Sequence, residues 1–493
     1  MARFLSVILI ISMLFTLASC SVRDGATDDV VETPDVVESS DVNEEPIVTE
    51  TPAIEELTSS PFIEDLEYLA YVLENNFSLY DVAYWAHGAD IPASIDGVRN
   101  DILDNPDMDV DEFFASLRQH FVILKSIGHF SFLTPPEHQY LVTGTDLFWR
   151  RMNPGAIERL RLPHVIEFYE QSEWTQLDES EEELRKLVEI NIDLLLLQDE
   201  NQLAEKMIEA LAKADKTELM YLNDHARQLI YDSPNTRTAI IEEGRVAYLS
   251  VLSFITRPDA AERKQINDFY DEIRDYEHLI IDIRQNAGGW MEFFNRYLMG
   301  AMISEDYDIR GFAFFSNGNY VSDFFPSEYI QEMTSLRNFS STVDLQMDSQ
   351  MLPVAEIIEA YELPELNLAD MERMDYGFAI TTTVSVARTP PAFVGKVWFL
   401  TGPHMTSASQ ISAWIAKESG FATLVGEITG GAYGGPRTLV PLPNSGIVFA
   451  IDMFYVTDQH GRPLEAGTIP HHFNREGMDA LETTLALISE GQY

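Results

Sequence analysis

Ser407 has the sequence surroundings that most favour covalent chemistry. The apolar run from Val397 to Leu400 predicts a buried strand, and residues 406–410, Thr-Ser-Ala-Ser-Gln, open an amphipathic helix. A serine at such a strand-to-helix turn exposes its hydroxyl group. The free N–H groups and the positive end of the helix can stabilise a negative charge that develops beside it. Ser407 is therefore a candidate nucleophile.

A glycine pair, Gly288-Gly289, follows a second predicted strand. Residues 246–251 predict one strand, the apolar spacing at 266–276 predicts a helix, and residues 279–284 predict another strand. This order implies a right-handed parallel unit. Open α/β sheets bind ligands at the carboxyl ends of their strands, so a glycine N–H here can act as an oxyanion donor. The alternative is that both glycines only make a tight turn.

A histidine, His129, follows a predicted helix and a glycine. The helix covers residues 110–124, with Phe113, Leu117 and Phe121 on one face, and Gly128 breaks the pattern. A histidine in this position is more often structural than catalytic, and only its partners decide between the two.

Composition restricts the class of function. The 493 residues are 45% hydrophobic and 11% aromatic, enough for a large core and more than one domain. Because 32 basic residues face 81 acidic ones, the formal net charge is −49, which argues against nucleic-acid binding. Eleven histidines include the pair His471-His472, but no His-Glu-x-x-His helix or cysteine pair accompanies them. We therefore predict no metal and no cofactor.

The N-terminus predicts export and a lipid anchor. Arg3 precedes an apolar run, residues 4–17, which is too short for a comfortable membrane span. The sequence Leu17-Ala18-Ser19-Cys20 resembles a bacterial lipobox, and Cys20 is the only cysteine. Residues 1–19 are thus a predicted signal peptide, and Cys20 is the predicted lipidation site on the extracytoplasmic side of the cell envelope. The alternative is an ordinary signal peptide with a chance cysteine.

Four further regions follow from composition and periodicity. Residues 20–58 are acidic and lack aromatic side chains, which predicts a disordered tether. Residues 59–140 predict a helical N-terminal subdomain that begins at Ser60-Pro61. Residues 141–240 predict a mostly helical insertion, and residues 241–493 predict an α/β core.

These segments together resemble one enzyme family. The order is Gly128-His129, then residues 281–289, then residues 407–410, then Gly-Glu-Ile-Thr-Gly-Gly at 426–431. It resembles the S41 serine peptidases, which include the tail-specific or C-terminal processing proteases and the tricorn core protease. The resemblance covers residues 60–135 and 240–475. It implies a ClpP/crotonase-like core of β-β-α units with a helical N-terminal subdomain.

The resemblance also implies site residues. Lysine-type members carry the base in the loop that corresponds to residues 430–436, where this chain has no lysine. The tricorn-like branch uses a histidine, which matches His129. Ser407 then resembles the nucleophile and Glu465 the acid that orients the histidine. A further serine that links acid and histidine would be Ser126 or Ser131.

The oxyanion hole implied by the match consists of the Gly288 and Ala408 N–H groups. The Gly289 N–H is the next candidate. Ser409 is the competing nucleophile, although its offset from the family pattern favours a role in the helix turn. The chain departs from the pattern at Gln410, Ile127 and His471, where the family commonly has glutamate, aspartate and aspartate.

The resemblance predicts an exported serine peptidase that acts on peptides or unfolded proteins. One alternative is an inactive lipoprotein that uses the same fold to bind peptides or envelope partners. A crotonase-like enzyme for acyl-CoA would share the fold, but predicted export and the lack of an evident basic patch disfavour it.

Overall fold

The computed structural model describes most of the predicted folded region. The described residues are 60–124, 127–143, 154–171, 235–255, 258–318, 320, 343–347, 351–432 and 437–492. The predicted signal peptide, Cys20, the acidic tether and most of the predicted 141–240 insertion lie outside these residues. Within the described part of the chain, no helix is both long and apolar enough to cross a membrane.

The N-terminal part is helical, as its periodicity predicts. The helices are α1 (Pro61–Asn76), α2 (Tyr80–His87), α3 (Ile91–Asp104), α4 (Val110–His120), α5 (Pro135–Thr143), α6 (Pro154–Arg159) and α7 (Pro163–Gln171). Helix α4 begins at a capping box, in which the Asp109 side chain and the Glu112 side chain each bond the other residue's backbone N–H. It ends at His120, and a short 3₁₀ turn over Val122–Leu124 completes the predicted stretch.

The remaining elements mostly form the α/β core. The helices are α8 (Ala260–Glu272), α9 (Met299–Met302), α10 (Val354–Ala360), α11 (Leu368–Met371), α12 (Ala408–Glu418) and α13 (Ala480–Glu490). The strands are β1 (Ser131–Phe132), β2 (Thr236–Glu242), β3 (Val246–Val251), β4 (His278–Asp282), β5 (Tyr307–Phe315), β6 (Val343–Met347), β7 (Leu352–Pro353), β8 (Tyr376–Val384), β9 (Lys396–Thr401), β10 (Thr423–Gly426), β11 (Arg437–Pro441), β12 (Val448–Asp452), β13 (Tyr455–Thr457) and β14 (His472–Phe473).

A six-stranded sheet positions the candidate site. Its order is β14-β10-β9-β4-β3-β2, and all neighbours are parallel except the β2–β3 hairpin. Strand β3, helix α8 and strand β4 form the parallel unit that the sequence predicts. Strands β4 and β9 read as continuous apolar runs because both faces of the sheet are covered. On one face, α13 packs Leu487 and Ile488 with Trp398 and Val425 of the sheet.

Two antiparallel sheets complete the fold. One has the order β1-β12-β11, and the other the order β13-β5-β8-β6 with β7 beside β8. Strand β1 belongs to the N-terminal part, whereas β12 belongs to the core. Their pairing matches Ser131 with Ala450 and Phe132 with Phe449. The described residues thus form a mixed α/β fold with a helical N-terminal region, as predicted.

Candidate active site

Three neighbouring parallel strands end at the candidate site. Strands β4, β9 and β10 are adjacent, so the loops after their carboxyl ends must meet at one edge of the sheet. A Cβ atom built on Gly288 would lie 2.9 Å from Cβ of Ser407. The Ser407 N–H donates to the Gly431 carbonyl at 3.0 Å. The glycine turn, the candidate nucleophile and the Gly430-Gly431 loop are therefore in direct contact.

Ser407 occupies a conformation that few residues other than glycine adopt. It is the N-cap of α12 with φ 55° and ψ −126°, and its side chain makes no capping bond. Among the described residues, the non-glycine residues with positive φ are His129, Ser407 and Ala432. Such a backbone costs free energy and persists only where the surroundings enforce it, commonly at functional sites. The two strongest sequence candidates share this property.

Ser409 is a structural residue. It is fully buried, and its hydroxyl group bonds the Asn286 carbonyl at 2.5 Å and the Thr406 carbonyl at 2.8 Å. A hydroxyl held among carbonyl oxygens inside the protein has no path to a substrate. This geometry favours the helix-turn interpretation of Ser409 over its role as competing nucleophile.

The glycine turn differs from the predicted oxyanion arrangement at Gly288. The Gly288 N–H donates to the Asn286 side-chain oxygen at 2.8 Å, so that donor is already used. The neighbouring bonds run from the Phe254 N–H to the Gly288 carbonyl at 2.9 Å and from the Trp290 N–H to the Phe254 carbonyl at 2.8 Å. The Gly288 N–H is thus engaged within the turn, and Gly289 is the other predicted donor of this glycine pair.

Asn286 is a residue of this site that the sequence pattern left without a role. It is fully buried, and its side-chain amide donates to the Val251 carbonyl at 3.3 Å while its oxygen holds Gly288. Its backbone carbonyl accepts the Ser409 hydroxyl. Asn286 thus ties the glycine turn to the end of β3 and to the start of α12. Its place two residues before the glycine pair was the only sequence signal.

The acid that is hydrogen-bonded to the His129 ring is Asp452. The His129 Nδ1 atom lies 2.7 Å from Asp452 Oδ2, and the Asp452 N–H donates to the Gly128 carbonyl at 3.1 Å. The pairing of β1 with β12 brings the two residues together, because His129 lies just before β1 and Asp452 ends β12. Asp452 is fully buried, whereas 30% of the His129 side chain is exposed. Burial raises the pKa of the Asp452 carboxyl group, and the His129 ring opposes this shift.

Glu465 instead supports the backbone before His129. Its buried Oε1 accepts the Gly128 N–H at 3.3 Å and lies 3.6 Å from His87 Nε2. The same ring nitrogen lies 3.0 Å from the Glu465 carbonyl oxygen. Burial lowers the pKa of His87, and the bond to this carbonyl opposes the shift. Glu465 thus bonds the backbone of the histidine turn, whereas Asp452 bonds the His129 ring, and the orienting role of Glu465 stays a prediction.

Glu465 also connects the two candidate turns. A Cβ atom built on Gly431 would lie 2.2 Å from the Glu465 carbonyl oxygen, and Gly431 itself bonds Ser407. On its other side, Glu465 bonds the residue before His129. The histidine turn and the serine turn are thus built against one shared segment.

Of the two candidates for the linking serine, Ser131 lies among the described residues. Ser126 lies outside the described residues. Ser131 lies in β1, and its hydroxyl group bonds no described residue. His129 bonds Asp452 directly, and the linking serine stays a prediction.

The departures from the family pattern have local explanations. Gln410 is fully buried, and its amide donates to the Leu464 carbonyl and to the Thr468 hydroxyl at 3.1 Å each. Its side-chain oxygen accepts the Thr429 hydroxyl. Neutral glutamine therefore satisfies the groups around it and ties α12 to the turn that carries Glu465.

The other two departures are also structural. Ile127 is buried in the core beside the histidine turn. The His471 ring accepts the Leu424 N–H at 2.9 Å, and the His471 N–H donates to the Leu424 carbonyl at 3.0 Å. Burial lowers the pKa of His471, which suits an acceptor ring. Over the described ranges, no group of three or more histidine, cysteine or acidic residues has the arrangement of a metal site.

Comparison with known proteins gives structural neighbours at low identity. A putative peptidase from Parabacteroides merdae ATCC 43184 is 14% identical, with 87% of this chain and 97% of that chain covered and a TM-score of 0.44. Mature CPAF in complex with lactacystin is 15% identical over 52% of this chain and 53% of its own, with a TM-score of 0.35. The photosystem II D1 C-terminal processing protease is 14% identical over 49% and 48%, with a TM-score of 0.27.

No curated protein sequence matches this chain. The family comparison does find a match, over residues 245–300 and 334–473, which together are about two fifths of the chain. The matched segments contain Ser407, Asp452, Glu465 and the Gly288-Gly289 turn, whereas His129 lies before them. These two segments carry the sequence pattern of peptidase family S41.

Proposed function

We propose that this protein is a serine peptidase that hydrolyses peptides or unfolded protein chains. The observation that carries the proposal is the His129–Asp452 pair, built against the same segment as the strained Ser407 turn. A serine hydroxyl is a weak nucleophile without a base, and a carboxylate on the far ring nitrogen makes a histidine a better base. The match to peptidase family S41 supports the same chemistry.

The proposed reaction is acyl transfer in two stages. Ser407 Oγ attacks a peptide carbonyl carbon while His129 Nε2 takes the hydroxyl proton, and Asp452 holds the Nδ1–H. The negative charge on the carbonyl oxygen is stabilised by the Gly289 and Ala408 N–H groups. The protonated His129 then gives its proton to the leaving amine, and the C–N bond breaks. Water, deprotonated by His129, releases the acyl group from Ser407.

A fluorophosphonate probe tests this proposal directly. The probe phosphonylates an activated serine, so we expect one labelled site in the wild type, at Ser407, and no label in Ser407→Ala. Ser419→Ala is the matched control because Ser419 ends the same helix, where its hydroxyl group donates to helix carbonyls and accepts the Phe421 N–H. In-gel fluorescence and peptide mass spectrometry give the readout. An unlabelled wild type would overturn the proposal in favour of a binding protein on the same fold.

We further propose that the enzyme is exported and anchored by a lipid at Cys20. This part rests on the lipobox-like sequence and on the acidic tether that follows it. In a bacterial host, we expect the wild type to sediment with membranes and Cys20→Ser to appear in the soluble fraction. Immunoblots of both fractions measure this. Equal membrane association of the two forms would contradict a lipid anchor at Cys20.

A further inference from the structure

A large cavity lies between the N-terminal helices and the segment around α11. It has a volume of about 790 Å³, which is in the range of small-ligand sites. Its walls come from α2, from the start of α3 and from α11 with the residues beside it. No residue of the proposed active site belongs to this lining, so the cavity is a separate feature of the described chain.

The cavity is strongly acidic. Four carboxyl groups line it, those of Asp81, Asp90, Asp370 and Glu372, against one basic side chain, that of Arg373. Arg373 Nε donates to Asp81 at 2.6 Å, and this is the one ion pair of the lining within the described residues. The other three carboxyl groups therefore have no cationic partner in the described part of the chain.

Asp370 is the most unusual of these acids because it is only 2% exposed. Its carboxyl group accepts the Tyr455 hydroxyl at 2.7 Å and the Trp85 Nε1–H at 3.1 Å. The Asn367 amide donates to it at 2.9 Å. All three donors are neutral. Burial raises the pKa of Asp370, and a cation bound beside it would favour the charged form.

Aromatic rings supply the second part of the chemistry. Tyr84 and Trp85 line the cavity and are 63% and 46% exposed. The bond from Trp85 Nε1 to Asp370 holds the indole ring beside the carboxyl group. In the same lining, the Arg373 guanidinium lies 4.7 Å from the centroid of the Tyr80 ring, so the cavity already holds one cation against an aromatic face. A cation placed between aromatic faces and carboxylates is stabilised by both.

We propose that this cavity binds an organic cation, whose ammonium or guanidinium group pairs with the carboxylates and stacks on the Trp85 ring. A metal ion would gain little from aromatic faces, and the described acids do not form a metal-binding group. An anion would be repelled by the carboxylates. The cation can belong to a free small molecule or to a basic side chain of a peptide. The inference goes beyond the proposed function and does not depend on it.

Calorimetric titration of the full chain with matched probes tests the inference. N-acetyl-arginine methylamide carries a guanidinium group and amide bonds, propylguanidinium carries the same group without the amides, and N-acetyl-citrulline methylamide is the neutral isostere. We expect the wild type to bind the arginine probe at least about tenfold more tightly than the citrulline probe, because only the guanidinium group pairs with the carboxylates. Tighter binding of the arginine probe than of propylguanidinium would identify a peptide side chain as the ligand, and equal binding would identify a free cation.

Aromatic variants locate the site. Trp85→Ala removes one aromatic face, and Tyr84→Ala is a second variant that keeps the bond from Trp85 to Asp370. We expect each change to weaken binding of the arginine probe by about fivefold. Tyr71→Ala is the control and should bind like the wild type, because Tyr71 is an exposed aromatic residue on α1 outside the lining. Thermal unfolding verifies that each variant folds.

A pair of charge variants separates a specific site from general attraction to the net charge of −49. Glu372→Gln removes a carboxylate from the lining, and Glu365→Gln removes the same charge from an exposed residue outside it. We expect Glu372→Gln to weaken binding by about threefold and Glu365→Gln to leave it unchanged.

The outcomes that would overturn the inference are distinct. Equal binding of the arginine and citrulline probes would exclude a cation site. Equal weakening in the two charge variants, or unchanged binding in both aromatic variants of the lining, would exclude this cavity as its location. Failure of every probe to bind the wild type would remove the inference altogether. Since none of these readouts uses Ser407, the inference and the proposed function fail separately.

Discussion

Replacing His129 with alanine is expected to lower kcat by about 10⁶-fold, as much as replacing Ser407. The reason is that the base and the nucleophile act as one unit, since a serine hydroxyl that cannot lose its proton does not attack. Steady-state hydrolysis of a peptide that the wild type cleaves, or the rate of fluorophosphonate labelling, measures the loss. The double variant Ser407→Ala/His129→Ala should be no slower than either single variant.

A second histidine in the N-terminal region is a close control. His120 lies at the end of α4, its side chain is 24% exposed, and its Nε2 atom lies 2.9 Å from Asp101. His129 is 30% exposed and lies 2.7 Å from its own carboxylate. Both changes remove a histidine–carboxylate contact, but only His129→Ala removes the proposed base. His120→Ala should therefore retain activity within about threefold, and equal losses in both variants would contradict a catalytic role for His129.

Asp452→Asn is expected to lower kcat by about 10⁴-fold. In the proposed mechanism, the carboxylate accepts a hydrogen bond from the His129 Nδ1–H, which leaves Nε2 unprotonated and able to act as the base. An asparagine can present its NH₂ group instead and hold the ring in the wrong tautomer. Burial penalises the charged form of Asp452 and raises its pKa. The neutral asparagine avoids this cost, so Asp452→Asn should lose little stability. The urea unfolding midpoint separates this case from a folding defect.

Glu465→Gln is the matched comparison for Asp452→Asn. Both residues are fully buried acids near His129, and both changes replace a carboxylate with an amide of the same shape. Glutamine can still accept the Gly128 N–H through its oxygen, so the histidine turn should keep its position. We expect a loss of about tenfold or less. A larger loss in Glu465→Gln than in Asp452→Asn would restore Glu465 as the orienting acid.

Much of the core was predictable because it depends on local patterns. The continuous apolar runs of β4 and β9 predict buried parallel strands, and the observed sheet pairs them as neighbours. Two neighbouring parallel strands then bring Gly288 and Ser407 to the same edge. The helical N-terminal region followed from its 3.6-residue periodicity in the same way.

Details of hydrogen bonding could not be predicted from those patterns. The choice between Gly288 and Gly289 depends on which N–H the Asn286 side chain occupies, and that depends on a side-chain direction. Gln410 departs from the family pattern three residues after Ser407. In the structure, its amide satisfies groups contributed by Leu464, Thr468 and Thr429, which lie far along the chain.

The sequence by itself determined a serine at a strand-to-helix turn, a glycine turn on the neighbouring strand and a histidine after a glycine. Each of these features is specified by a few consecutive residues. Only the tertiary structure decided that Asp452 holds His129. Asp452 lies 323 positions after His129 and ends an apolar strand. In the sequence it looks like an ordinary residue at a strand boundary. Their contact depends on the pairing of β1 with β12, a long-range pairing that local sequence does not encode.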